Sequence, residues 1–498
     1  MAVNNSEIST ETCRQWMIDG VVPEADTEIS GIGVIMAFLL SAYITFAIVF
    51  VAYLLGSINT SLLRPVDLYV HKLPSQRRTS QSWHLALESC VLLLSDQQIV
   101  TGIAICIAGF IGLHGKISVY YFQIVIMLAW MSSSVHLSAL TMLGENFHKR
   151  RAVLWWRLVG MMTLFVLLLV ALVPTGSNLW AIWWTGDSDD QYRTTSWAIP
   201  AKCFFFKTWG EGVNPDAPLA YLILVLSYIW KVGALFNGSR NMFHRRFRGP
   251  CDYLLEGILH REALRATKRR GRRELSWKYY ATMVVYVILL ALFEFAASFA
   301  ASLWLSLIGL LYGTIQIVVP RRQNAWWNKK EDTWTFGQVI PLVLLIQPIG
   351  AVLESLYPHG SERESRSNHE SRSSSDEAYE LHSTVNTGML LHQDESSRLT
   401  PTISDMFACI EVPKPSQRST KPVEHQIPFY SSNLFKILIV LVHAAIAGIS
   451  GIVFYNDALS IGYNTSQNYY FVLIGLGAAL GALVLSCVVM IPFSRVYR

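Results

Sequence analysis

Five ionisable side chains stand inside or at the edges of long apolar runs: Asp96, His136, Glu294, Glu354 and His443. Such groups are costly to keep in hydrocarbon, so each is a candidate for chemistry. Asp96 is accompanied by Ser95, Gln97 and Gln98, which can hydrogen-bond a substrate or set the protonation of the carboxyl. The competing reading makes Asp96 a helix N-cap, since Ser or Asp ahead of an apolar run is ordinary capping chemistry. Glu294, in LLALFEFAASFA, has no basic neighbour in sequence and is a candidate proton donor; the alternative is a structural acid hydrogen-bonded across helices. His136 follows Ser132, Ser133 and Ser134, which either line a polar cavity or tie helices together. Gln97, Gln98 and His136 are the candidate substrate-pocket residues. Glu354 and His443 lie nearer the ends of their runs, where solvation is easier, and Lys231 is expected to snorkel.

Other chemistries leave no trace. No metal-ligand spacing, P-loop, GxSxG elbow or dinucleotide fingerprint occurs in a suitable context, so neither a metal nor a cofactor is indicated. The glycines from Gly475 to Gly481 sit in an apolar span with no strand before them, where small residues serve helix packing. Trp155-Trp156, Trp183-Trp184 and Trp326-Trp327 suit membrane interfaces, although walls that stabilise a carbocation use the same residue types.

These residues must be held by membrane helices. Of 498 residues, 52% are hydrophobic and 15% charged, and the apolar residues gather into runs of the roughly 20 residues that cross a bilayer core. The expectation is an all-α, polytopic transmembrane bundle of about nine spans with a long disordered Ser-rich linker before the last two. An acidic extracytoplasmic N-terminus (1–30) precedes a bundle (31–357) that includes a basic cytosolic segment (237–278); the linker (358–433) and a C-terminal two-span hairpin (434–498) follow. The N-terminus has no cleavable-signal pattern, so the first span, Gly31 to Leu55, is expected to act as its own anchor. Trp83 to Leu113 is read as a kinked or entering helix with a polar break at Ser95 to Gln98. Tyr279 to Val319 makes either two short crossings or one long bent helix, and Trp334 to Tyr357, with Pro341 and Pro348, is kinked or re-entrant. In the basic segment, Leu254, Leu255, Ile258, Leu259 and Ala263 share a helix face suited to anionic headgroups.

Lys and Arg placement puts the N-terminus outside. It also puts Arg321, Arg322, Lys329 and Lys330 inside, provided that Tyr279 to Val319 crosses twice. Asn4 and Asn464 then lie in extracytoplasmic glycosylation sequons, and Cys13 and Cys203 meet on the oxidising side, where a disulfide is possible. The Trp-rich loop from Pro174 to Pro218 suits the membrane interface on that side.

Three passages, EADTEISGIGVIMAF (Glu24 to Phe38), LLLSDQQIVTGIAICIAGF (Leu92 to Phe110) and LAWMSSSVHLSAL (Leu128 to Leu140), resemble a family of filamentous-fungal multispanning membrane proteins. The similarity extends through TFGQVIPLVLL (Thr335 to Leu345). Some similar proteins are encoded beside secondary-metabolite enzymes, and membrane-bound terpene cyclases of the ascofuranone and ascochlorin kind have this general appearance. The resemblance implies a membrane-embedded cyclase of a prenylated, epoxidised fungal metabolite, an isomerising reaction that needs no cofactor. Glu294 or Asp96 would protonate the epoxide. The alternatives are a transporter of a lipophilic metabolite, or a receptor or signalling scaffold with the linker as a phosphorylated tail. The expected partners are a lipophilic small molecule, the bilayer and anionic headgroups at 237–278, without nucleic acid. The expected location is the endoplasmic reticulum or another endomembrane.

Overall fold

The computed structural model describes residues 27–56, 81–114, 117–143, 151–181, 196–205, 216–235, 244–268, 277–323, 333–356 and 433–460, and also Cys13, Ile58, Leu63, Arg64, Val66, Asp67, Asn214, Met242, Glu331 and Tyr430. The sequons at Asn4 and Asn464, the linker proper, Trp183-Trp184, Trp326-Trp327 and the last apolar run lie outside these residues.

Helices carry almost all of the described chain: α1 (Ile32–Leu54), α2 (Gln81–Gly112), α3 (Val119–Leu143), α4 (Arg151–Ala171), α5 (Asp216–Leu235), α6 (Gly249–Lys268), α7 (Trp277–Ala296), α8 (Phe299–Gln323), α9 (Phe336–Leu344), α10 (Gln347–Leu356) and α11 (Asn433–Ser460). Seven helices among the described residues are long and apolar enough to cross a membrane, and Ala220–Gly233 and Phe336–Gly350 are shorter apolar helices. The protein is an integral membrane protein.

The bundle is built around α3. Within the fold 94% of Val119–Leu140 is buried, against 11% of Phe435–Tyr455, so α3 is the central helix and α11 a peripheral one. Helices α1, α2, α4, α5 and α8 pack on α3. Small residues permit the close approaches: a Cβ on Gly102 would meet Ser132 Cβ at 2.8 Å, and one on Gly313 would meet Met131 Cγ at 2.7 Å. The Ser95 to Gln98 segment does not break α2, which is one continuous helix of 32 residues. Each backbone group there is already bonded within the helix, and the side chains of Ser95, Asp96 and Gln98 find partners on neighbouring helices. This also removes the N-cap reading of Asp96.

Two polar clusters fix the ends of the bundle. At one end Tyr53 donates to Asp67 (2.7 Å), Asp67 accepts from the Phe299 N–H that opens α8 (3.2 Å), and the Tyr53 and Phe299 rings stack at 5.2 Å. Asp67, distant in sequence, therefore caps α8. At the other end Arg321 donates to the Ser30 carbonyl, while Glu331 accepts from Tyr121 (2.8 Å) and Tyr120 (3.3 Å) and lies 3.5 Å from Arg321. Helix α8 thus runs antiparallel to α1, from the Tyr53 end to the Ser30 end.

This corrects the expectation that Arg321 lies opposite the N-terminus. Helix α7 ends at the Tyr53 end but does not return beside α8; it packs chiefly on α6 and α11. Helices α6 and α7 form an antiparallel hairpin, with Glu256 accepting from Tyr286 at 2.8 Å and Arg248 meeting Glu294 at 2.5 Å. Helix α6 carries His260, Arg261, Glu262 and Arg265, which hydrocarbon would not tolerate. The apolar stretch from Tyr279 to Val319 holds two helices, α7 and α8, that are each long and apolar enough to cross a membrane. The buried face of α6 is Asp252, Glu256, Leu259 and Ala263, whereas Leu254, expected on the apolar face, is 62% exposed.

At the Ser30 end, Cys13 and Cys203 are joined by a disulfide. The loop after α4 bridges to the start of α3, with Val119 N–H donating to the Ile199 carbonyl and Ala201 N–H to that of Ile117, both at 2.8 Å. Trp180 and Trp197 were expected at the membrane interface but are buried in the protein, where Trp180 packs edge-on against Phe204 at 5.5 Å and Trp197 against Tyr120 at 6.2 Å. Trp155 and Trp156 on α4 are 58% and 75% exposed, as membrane-facing anchors should be.

Burial pushes the Glu331 carboxyl above the usual carboxylate range, and the bonds from Tyr121, Ser30, Arg321 and Tyr120 pull it back only in part. A raised folded-state value means that its contribution to stability is complete below the ordinary carboxylate range and is lost as pH rises through the raised value. Detergent-solubilised protein should lose thermal stability over that window, and Glu331→Gln should flatten this part of the pH profile. Parallel profiles for the two proteins would refute the assignment.

Candidate functional site

The polar residues of α2 each reach a different neighbour. Gln98 donates to Ser41 on α1 and accepts from Ser132 on α3 at 2.8 Å. Ser95 lies 2.6 Å from His136 Nδ1 on α3. Asp96 takes Arg157 of α4 in a two-pronged pair, with both bonds at 2.7 Å. On the α5 side of α3, Ser133 donates to Tyr228 at 2.8 Å. Four helices around α3 are thereby fastened to one layer. Ser41, Gln98 and Ser132 lie near the middle of their apolar segments, whereas His136 and Arg157 lie nearer the ends of theirs, so the layer extends from mid-bundle toward the Tyr53 end.

The geometry follows from helical periodicity. On α2, Ser95 and Gln98 are three residues apart and share a face toward α3; Asp96 is turned by about 100° and faces α4 instead. On α3, Ser132 and His136 face α2 while Ser133 is turned toward α5. The sequence-predicted candidates Asp96, Gln98 and His136 therefore belong to one layer. Gln97 belongs to it only in sequence: its carbonyl accepts from Thr101 at 2.9 Å, a bond internal to α2.

Glu294 belongs to a separate cluster and is not the lone acid expected. Arg248 lies 2.5 Å from its Oε1, Tyr430 donates to the same oxygen at 3.4 Å, and Asp252 lies 3.4 Å from Arg248. The guanidinium comes from the turn before α6 and was invisible as a neighbour because 46 positions separate it from Glu294. His443 packs edge-on against Phe295 at 5.0 Å and returns Nδ1 to the Ile439 carbonyl at 2.8 Å. The side chain of Glu354 lies outside the description.

Sequence reasoning missed Arg157, Ser41 and Tyr228 as members of the layer, and misplaced Lys231 beside it. Arg157 lies in an otherwise apolar helix, a signal that could have paired it with Asp96. Ser41 offered none. Lys231, expected to snorkel, is instead 3% exposed, and its Nζ has no hydrogen-bond partner among the described residues. Among the described residues no cluster of three or more His, Cys, Asp or Glu could hold a metal ion.

The chain is similar to two proteins of Elsinoe fawcettii. It is 27% identical to Elsinochromes biosynthesis cluster protein HP2 over 241 residues, which cover 41% of this chain and 62% of that protein. It is 35% identical to Elsinochromes biosynthesis cluster protein HP3 over 114 residues, covering 23% of this chain and 45% of that protein. The chain thus spans less than two thirds of the length of either relative. No protein-family description matches it, and no solved structure does.

Proposed function

We propose that this protein is a membrane-embedded component of fungal secondary metabolism, seated in an endomembrane, that works on a lipophilic intermediate at the polar layer around α3. The observation that carries this reading is the convergence of Ser41, Ser95, Asp96, Gln98, Ser132 and His136 within apolar helices. Intramembrane polar clusters are expensive and mark substrate paths or reaction sites. The names of the two relatives, both assigned to a biosynthesis cluster, support the pathway class.

The reaction we infer is cofactor-independent cyclisation of a prenylated, epoxidised metabolite. The epoxide oxygen takes a proton as its C–O bond breaks, the alkene closes on the carbon left cationic, and a proton is lost at the end, so mass is unchanged. Asp96 is the acid within the layer; Glu294, the other candidate, serves a cluster at the Tyr53 end. Since Arg157 holds Asp96 as a carboxylate, the guanidinium must be displaced and the freed carboxylate must take up a proton from water before it can give one to the epoxide. The proton lost at the end of the cyclisation returns to water. Basic segment 237–278 rests against anionic headgroups in this reading.

Microsomes carrying the protein, incubated with epoxyfarnesyl phenolic substrates and no added cofactor, should yield an isomer of the same mass but different retention. Asp96→Asn should lower its formation by roughly 100-fold or more with protein level retained. Absence of the isomer, beside a working control cyclase, would overturn the cyclase reading. Transport is the second reading, favoured by the interruption between α9 and α10 at Leu345 and Ile346, with Pro341 and Pro348 on either side. Vesicle uptake of the same compounds tests it.

A further inference from the structure

We propose that the space enclosed by α3, α4 and α5 holds the acidic group of an amphiphilic organic anion, with Lys231 as its counter-charge and His136 as a second donor. Helices α3 and α5 run parallel: Ser133 bonds to Tyr228, and α5 leaves the Ser30 end beside α4, where Tyr221 donates to the Leu169 carbonyl at 2.9 Å. His136 and Lys231 each lie three residues beyond that pinned pair, about 4.5 Å farther along parallel helices, and so stand at one level.

Their directions also agree. His136 projects between Ser132, which faces α2, and Ser133, which faces α5, into a wedge closed by α4. The wall on that side is Phe165, whose ring lies 4.3 Å from that of Tyr228. His136 is 1% and Lys231 3% exposed, and neither His136 Nε2 nor Lys231 Nζ has a hydrogen-bond partner among the described residues. In the tautomer in which Ser95 donates to Nδ1, Nε2 carries the hydrogen and faces the wedge as a donor.

The electrostatics select the ligand's sign. Asp96 is engaged by Arg157 in a two-pronged bond, and among the described residues no ion pair is made to the ammonium of Lys231. A buried ammonium without one is strongly disfavoured, so a carboxylate or an ionised phenol on an apolar body is the chemistry that fits. Such a molecule enters from the bilayer with its apolar part among the aliphatic walls. The inference rests on the polar layer's being the working site, but it concerns binding and requires no turnover.

The experiment is a thermal-shift titration of the full-length protein in nanodiscs of a zwitterionic lipid, with decanoate and decanol as matched probes. Decanoate should raise the unfolding midpoint saturably while decanol does not. Lys231→Met should weaken the decanoate effect at least about tenfold, the loss expected for one charge-assisted bond. The unliganded variant should be no less stable than the wild type, because an apolar side chain replaces a buried charge. His136→Phe should weaken the effect in the same direction. Equal responses to the two probes, an unchanged decanoate effect in Lys231→Met, or a destabilised unliganded variant would each overturn the assignment. Decanoate binding together with absent isomer formation would instead count against the cyclase reading alone.

Discussion

Replacing Arg248 by Met should lower the stability of the solubilised protein by about 3–5 kcal/mol, the usual cost of stripping one partner from a buried charge pair. Glu294 is 1% exposed and Asp252 5% exposed, so the substitution strips the Arg248 guanidinium from two enclosed carboxyl groups. The loss should be concentrated in this cluster, because Arg248 joins the α6 turn to α7 and, through Glu294 and Tyr430, to the segment that leads into α11. Glu294→Gln should cost less, since Arg248 retains Asp252 at 3.4 Å. The double replacement Arg248→Met with Glu294→Leu should recover part of the loss, as apolar packing often substitutes well for a buried pair. Unfolding midpoints of the three variants test this; a harmless Arg248→Met would show that the cluster contributes little. The same series separates structure from chemistry at Glu294: if it is only a structural partner, Glu294→Gln retains isomer formation in the microsomal assay.

Removing the Cys13–Cys203 bridge should have an effect of similar size. The bond closes a sequence separation of 190 residues, and loss of a native disulfide typically costs about 2–5 kcal/mol. Cys203→Ser should unfold at a lower midpoint than the wild type and be insensitive to reductant, while reductant should bring the wild type down to the variant. A wild type indifferent to reductant, with a midpoint equal to that of Cys203→Ser, would show that the bridge contributes nothing. The bridge also groups Cys13, the loop after α4 and the start of α3 at one end of the bundle, and it suits an oxidising compartment on that side.

Much of the helical framework was legible because its signal is one-dimensional. A run of about 20 apolar residues can satisfy its backbone in lipid only as a helix, and the bounds of α3, Val119–Leu143, follow from the run itself. The polar candidates were legible for the opposite reason, since a charge in such a run is conspicuous. What the run length cannot encode is direction. Tyr279 to Val319 has length enough for two helices, and only the bonds of Asp67 to Phe299 and of Arg321 to Ser30 show that α8 runs from the Tyr53 end to the Ser30 end. The positive-inside pattern misled at Arg321 because Glu331 and a carbonyl answer that charge locally.

The sequence by itself determined that this is a helical integral membrane protein and which residues in its interior are too polar to be there without a reason. Those properties depend on each segment's own transfer to lipid and on its period of 3.6 residues. The tertiary structure decided which of those residues meet: it paired Asp96 with Arg157 and Glu294 with Arg248, fastened Ser41, Gln98 and Ser132 across three helices, and enclosed Lys231 that spacing alone had sent to the surface. Partners on different helices are set by the rotation and direction in which whole helices pack, and no local stretch of sequence carries that information.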